Sequence, residues 1–174
     1  MNSIKNIITS ICLFFVCQCA FSQQVWDINV YKLKSHGDDQ LKIRVGSNYD
    51  SVKGGKIFRI GFFFDLGLGW YTYNNEPSDK NPSTNIQLKL PEGFEVVNII
   101  WPKANNEHGH YTKDFLVIYE IQASKPIPEK YEIEGNASWQ VCDGNICNMN
   151  EVFFDVELKG GKNVKSKTYK ILNK

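Results

Sequence analysis

Cys142-Asp143-Gly144-Asn145-Ile146-Cys147 sets two thiols at the ends of a turn-forming tetrapeptide. With Gly144-Asn145 as the two-residue loop of a β-hairpin, Asp143 stands opposite Ile146 and Cys142 opposite Cys147. The pair closing such a loop is hydrogen-bonded, so the cysteines fall on the next, non-hydrogen-bonded rung. Opposed Cβ atoms there sit roughly 4.5–5.5 Å apart, close to disulfide reach. With Asp143-Gly144 as the loop, the cysteines fall out of step, and the residues alone leave both registers open. The chemistry of the first register is thiol–disulfide exchange, because a bond across one rung tends to be strained, and strained or exposed disulfides are the reducible ones. The competing reading is a structural staple. Closing a loop of about six residues is worth only roughly 2 kcal/mol in the chain-entropy picture, against roughly 4.7 for a hundred-residue loop. His108-Gly109-His110 together with two thiols also meets the count for a zinc or copper site. That site needs reduced thiols, which an oxidising compartment opposes.

The compartment follows from the first residues. Lys5, the apolar run Ile7–Cys19 and Ala20-Phe21-Ser22 read as the three regions of a secretory signal peptide, so 1–22 is expected to leave and 23–174 to form one domain exported to the periplasm. Lipidation at Cys17 or Cys19 is the alternative, disfavoured by the bulky Val16 and Gln18 before them. Cleavage removes Cys12, Cys17 and Cys19 and leaves Cys142 and Cys147 as a single pair, whose default in an oxidising compartment is a disulfide. The full chain carries 20 basic and 19 acidic residues; without Lys5 the balance is even, which argues against general nucleic-acid affinity. Nothing in this reading calls for a metal or a small-molecule cofactor.

The elements that must position the cysteines are strands. Trp26/Ile28/Val30, Leu41/Ile43/Val45, Ile86/Leu88/Leu90 and Val152/Phe154/Val156/Leu158 alternate with polar neighbours. Ile57–Leu66 and Phe115–Ile121 are unbroken apolar runs that suit central strands buried on both faces. Turn signals separate them at Lys53-Gly54-Gly55, Glu76-Pro77-Ser78-Asp79, Pro91-Glu92-Gly93, Pro126-Ile127-Pro128 and Gly160-Gly161. The expectation is an all-β, immunoglobulin-like antiparallel β-sandwich. The segment from Lys159 to Lys174, with six lysines and no acid, reads as a solvated final strand with Tyr169 and Ile171 facing in.

Three stretches together resemble the periplasmic N-terminal domain of the thiol:disulfide interchange protein DsbD. They are Gly69-Trp70-Tyr71-Thr72-Tyr73; Leu90-Pro91-Glu92-Gly93-Phe94 running into Ile100-Trp101-Pro102; and Ala137-Ser138-Trp139-Gln140-Val141-Cys142 through Cys147. Order and spacing agree from about Lys56 to Leu158. The resemblance implies an immunoglobulin-like sandwich in which Cys142 and Cys147 alternate between disulfide and dithiol, with Cys147 the first point of attack. It implies as partners a thioredoxin-like protein or a membrane electron-transfer protein acting in trans, and disulfide-bearing envelope proteins. The segment Lys103–Tyr111 matches a loop that caps the cysteines in that family. It holds no phenylalanine, so His108, His110 or Tyr111 is the expected cap, and Met149 stands where the family often has proline. By chain proximity Asp143 and Glu151 are candidate proton acceptors for the reduced pair, as are His108 and His110 if the loop folds over the hairpin. Trp70, Trp101 and Trp139 are expected in or beside the core, and Tyr71, Tyr73 and Tyr111 in an exposed patch for a partner. The rival to the relay is a non-catalytic binding or adaptor module, the same sandwich with a structural disulfide.

Overall fold

The period-two alternation of apolar residues builds two sheets that bury their apolar faces against each other. The computed structural model describes residues 31–76, 81–125 and 127–174. The expected signal peptide, the Trp26/Ile28/Val30 strand and the turns at Pro77 and Pro126 lie wholly or partly outside the described residues. One sheet runs in the order β1 (Ser35–Gly37), β2 (Leu41–Ser47), β4 (Ile57–Leu66), β9 (Phe115–Ala123), β7 (Phe94–Ile100), antiparallel throughout. The other runs β12 (Val164–Lys165), β3 (Tyr49–Val52), β11 (Cys147–Gly160), β10 (Tyr131–Cys142), β5 (Tyr71–Tyr73), β8 (His110–Tyr111). A further strand, β6 (Asn85–Lys89), pairs β10 on the same side as β5. Only the β3–β11 contact is parallel among the described pairs. The chain is an immunoglobulin-like all-β sandwich, and among the described residues no helix is long and apolar enough to cross a membrane.

Alternate residues of facing strands fill the space between the sheets: Phe58, Ile60, Phe62 and Phe64 from β4, Val117, Tyr119 and Ile121 from β9, Ile133, Trp139 and Val141 from β10, and Phe154, Val156 and Leu158 from β11. Phe62 bridges the sheets edge-to-face, 5.2 Å from Tyr119 and 5.3 Å from Phe154 between ring centroids.

The central strands β4 and β9 are covered on their second face as well, by an element the sequence pattern does not announce. Residues Tyr169–Leu172 form a short helix, α1, where the alternation suggested a final strand. Its Leu172 is fully buried with Phe63, Leu116 and Ile171 in a small second core. The space exists because Gly61 has no side chain: a Cβ there would lie 2.3 Å from Leu172 Cδ2. Arg59 Nη1 donates to the Leu172 carbonyl at 2.7 Å while pairing with Glu120 at 2.6 Å, which ties the helix end to the sheet. The lysine-rich tail is thus anchored by packing, and Lys165 lies 4.3 Å over the Tyr169 ring. Leu172→Ala is expected to lower stability by about 2–5 kcal/mol, read from the shift of the urea midpoint at unchanged slope.

Candidate functional site

β10 and β11 form one long hairpin, paired rung by rung from Tyr131↔Leu158 to Cys142↔Cys147. The loop is Asp143-Gly144-Asn145-Ile146, with Gly144 at φ +97°, a left-handed conformation suited to glycine. Asp143 N–H donates to the Ile146 carbonyl at 3.2 Å, so these two residues face each other with Gly144-Asn145 between them. The Asp143 carboxylate accepts from the amides of Asn145 (2.9 Å) and Ile146 (3.0 Å). These bonds hold its pKa below the usual carboxylate value. Asp143 Oδ1 therefore closes the turn, and of the two registers open to the sequence the in-step one is observed.

Cys142 and Cys147 are joined by a disulfide across a Cα–Cα distance of 4.2 Å. The two ends of the bond differ in exposure: Cys142 is fully buried and Cys147 is exposed. The cause is the strand order. On its other side, β10 at Cys142 is paired with Tyr71 of β5, whereas β11 gains its second neighbour only at Lys159, against β3. Cys142 is enclosed by neighbours and Cys147 stands on an open stretch of strand.

β5 carries Tyr71 and Tyr73 on one face, while Thr72 between them is buried and donates to the Gln140 carbonyl at 2.8 Å. Tyr73 Oη lies 3.9 Å from Cys142 Sγ, the polar contact made to that sulfur among the described residues. Burial, then the neighbouring Tyr71, pushes the Tyr73 phenol above its usual pKa, so it stays a protonated donor at neutral pH. Of the three tyrosines expected in an exposed patch, Tyr71 and Tyr73 are half-buried on β5. The contact with sulfur was not legible in the sequence, because it depends on which strand lies beside β10.

The segment expected to cap the cysteines reaches β5 through β8, with Thr72↔Tyr111 and Tyr73↔His110 paired. Asn106 Oδ1 accepts from the amides of His108 (3.1 Å) and His110 (3.0 Å), and Asn105 N–H donates to the His110 carbonyl at 2.8 Å. These bonds place the His110 ring on the tyrosines, stacked on Tyr71 at 4.5 Å and edge-on to Tyr73 at 4.9 Å. His110 is half-buried, and burial followed by the charge of His108 lowers its pKa from the usual 6.5. His108 is exposed, its ring 5.8 Å from that of His110.

Tyr111 does not belong to the exposed patch or the cap. It is buried, stacked on Phe115 at 3.9 Å, and its hydroxyl donates to the Pro102 carbonyl at 2.7 Å. Burial pushes its phenol up to about 12. Its place follows from alternation, since His110 before it faces the tyrosine pair. Glu151 lies farther along β11 and accepts from Asn136 Nδ2 at 2.7 Å. Trp139 is in the core, and Trp70 and Trp101 pack against it. The cysteine sulfurs are committed to each other, and no group of three or more His, Cys, Asp or Glu stands together as a metal site among the described residues.

Residues 47–156, which include every residue of this cluster, match the family described as thiol:disulfide interchange protein DsbD, N-terminal. Comparison with curated proteins finds no match. Among solved structures the chain is similar to the N-terminal periplasmic domain of ScsB from Proteus mirabilis, at 15% identity and a TM-score of 0.55. That match covers 80% of this chain and 57% of the other, so this chain spans less than two thirds of it. It is also similar to the reduced DsbD N-terminal domain of Neisseria meningitidis (13% identity, TM-score 0.34, 72% of this chain and 90% of that one). A third likeness is to the GAE domain of GGA2p from Saccharomyces cerevisiae (13% identity, TM-score 0.42, 71% and 96%).

The lowered pKa of His110 has a consequence for stability. Between its folded value and the usual 6.5 the unfolded chain binds more protons, so stability rises with pH across that window. The contribution is fully present above about 6.5 and is lost as pH falls through the folded pKa. His36, lowered by burial and Lys34, acts in the same direction. Thermal midpoints measured from mildly acidic to neutral pH should fall on acidification, and His110→Gln should flatten part of that slope; an unchanged slope would remove His110 from this account.

Proposed function

We propose, on the premise that this chain belongs to the family of DsbD N-terminal domains, that it is a periplasmic thiol–disulfide exchange domain. It relays reducing equivalents between a thioredoxin-like donor and disulfide-bearing envelope proteins through Cys142 and Cys147. The observation that carries this reading is the asymmetry of the bond, one cysteine enclosed and the other open to a partner.

The exchange runs in two displacements. A thiolate of the donor attacks Cys147 Sγ; the donor–Cys147 bond forms, the Cys142–Cys147 bond breaks, and the electron pair leaves on Cys142 Sγ. Tyr73 Oη, 3.9 Å from that sulfur, donates a hydrogen bond to the departing thiolate. The second donor thiol, deprotonated, then attacks its own mixed-disulfide sulfur and releases Cys147 as a thiolate. The donor ends as a disulfide and the domain as a dithiol after protons are taken up from solvent. Oxidation by an envelope protein's disulfide is the same sequence reversed. His110 and the two tyrosines restrict approach to Cys142 and leave Cys147 as the point of entry.

Cys142→Ser should accumulate a mixed disulfide through Cys147 when incubated with a thioredoxin-fold protein that lacks its resolving cysteine and is activated as its mixed disulfide with thionitrobenzoate, which leaves as Cys147 attacks, and Cys147→Ser should accumulate none. Both variants should stay folded; loss of the fold in either would support the structural staple of the adaptor reading. Equilibration in buffers of known poise should place the pair above roughly −250 mV, whereas a value below roughly −300 mV would mark an inert disulfide. Tyr73→Phe should slow reduction by dithiothreitol about tenfold, the equivalent of one hydrogen bond to a charged atom.

A further inference from the structure

Apart from Leu68, the most exposed large apolar residues among those described are Phe153 (73%), Met149 (59%) and Ile146 (54%). All three sit on the hairpin that carries the exposed cysteine. Ile146 immediately precedes Cys147, while Met149 and Phe153 lie two and six residues beyond it. Strand alternation puts Cys147, Met149, Glu151 and Phe153 on one face of β11, and the exposure of residues 147–153 alternates accordingly. The stripe runs about 20 Å from the reactive sulfur at the usual rise per residue. Scattered surface apolar residues are ordinary, but a row of them leading from one sulfur is not.

The positions around the stripe are polar, with one carboxylate, Glu151, between Met149 and Phe153. The rungs opposite Met149, Glu151 and Phe153 carry Gln140, Ser138 and Asn136, and the Glu151 carboxylate accepts from Asn136 Nδ2. No lysine or arginine stands on these rungs, so nothing there selects an anion, and a flat strand face offers no enclosure to a small molecule. A partner whose thiolate reaches Cys147 must cover the ground around it. The occupant that fits is a protein surface, apolar around its own reactive cysteine and with no carboxylate set against Glu151.

We propose that Ile146, Met149 and Phe153 form the docking surface for a thioredoxin-fold redox partner, with Met149 and Phe153 setting the rate of protein-to-protein exchange. This inference rests on the exchange reading of Cys142–Cys147 and adds the surface that a protein donor uses and a small dithiol does not. A single exposed stripe is smaller than the roughly 800 Å² per partner of a standard interface, which suits an encounter that must also dissociate.

The test compares two reductants on the intact chain, reduced thioredoxin and dithiothreitol. Met149→Glu and Phe153→Glu should each lower the second-order rate with thioredoxin about tenfold, the scale of one interface anchor, and leave the dithiothreitol rate within about twofold. Met149→Leu should retain the thioredoxin rate. Both positions are exposed, so thermal midpoints should not move. Equal slowing with both reductants, unchanged thioredoxin rates, or a wild-type chain that dithiothreitol reduces and thioredoxin does not would each overturn the docking surface while leaving exchange intact. A wild-type chain that neither reagent reduces would overturn the exchange reading and this inference with it.

Discussion

The ladder between β10 and β11 is the constraint on which the rest depends. Its inner face is fixed by burial of Ile133, Ala137, Trp139 and Val141 on one strand and Phe154, Val156 and Leu158 on the other. Because side chains alternate with period two, a slip of one residue would send this whole set to solvent. That cost pins the register over the length of the hairpin, and Asp143 closes its end by accepting two amides of the turn. The cysteines face each other because large apolar residues many rungs away cannot be displaced.

The same hairpin is chemically lopsided because its two strands have different neighbours. β10 lies between β11 and the pair β5 and β6, while β11 is open for most of its length. Two equivalent cysteines in one turn thereby acquire different environments: Cys142 beside the Tyr73 hydroxyl, Cys147 toward solvent. The segment bearing His108 and His110 adds a second layer. Its backbone is held by Asn105 and Asn106, and the imidazole of His110 meets both tyrosines.

Burial on both faces of β4 shows how one missing side chain redirects a neighbouring segment. Gly61 leaves room for Leu172, and the C-terminal residues turn into a single helical turn that fills it. Four residues without a side-chain cap are too short to show a helical period, and Tyr169/Ile171 are spaced as they would be in a strand. The docked position decided the conformation there, since an isolated turn of helix has little stability of its own.

Period and turn chemistry in the sequence determined the strands around Leu41/Ile43/Val45, Ile86/Leu88 and Val152/Phe154/Val156/Leu158 with their inward faces, the central strands at Ile57–Leu66 and Phe115–Ile121, and the candidate hairpin with its two cysteines. These are local properties: alternation assigns each residue a side, and Gly144-Asn145 is suited to a tight turn. Only the tertiary structure decided which strand lies against which, and the rest of the site follows from that. It chose the in-step register, enclosed Cys142 and exposed Cys147, brought Tyr73 to a sulfur 69 residues away, put His110 on the tyrosines and sent Tyr111 into the core. These are contacts between segments distant in the chain, selected by how two apolar faces close on each other, and no local pattern of residue types encodes them.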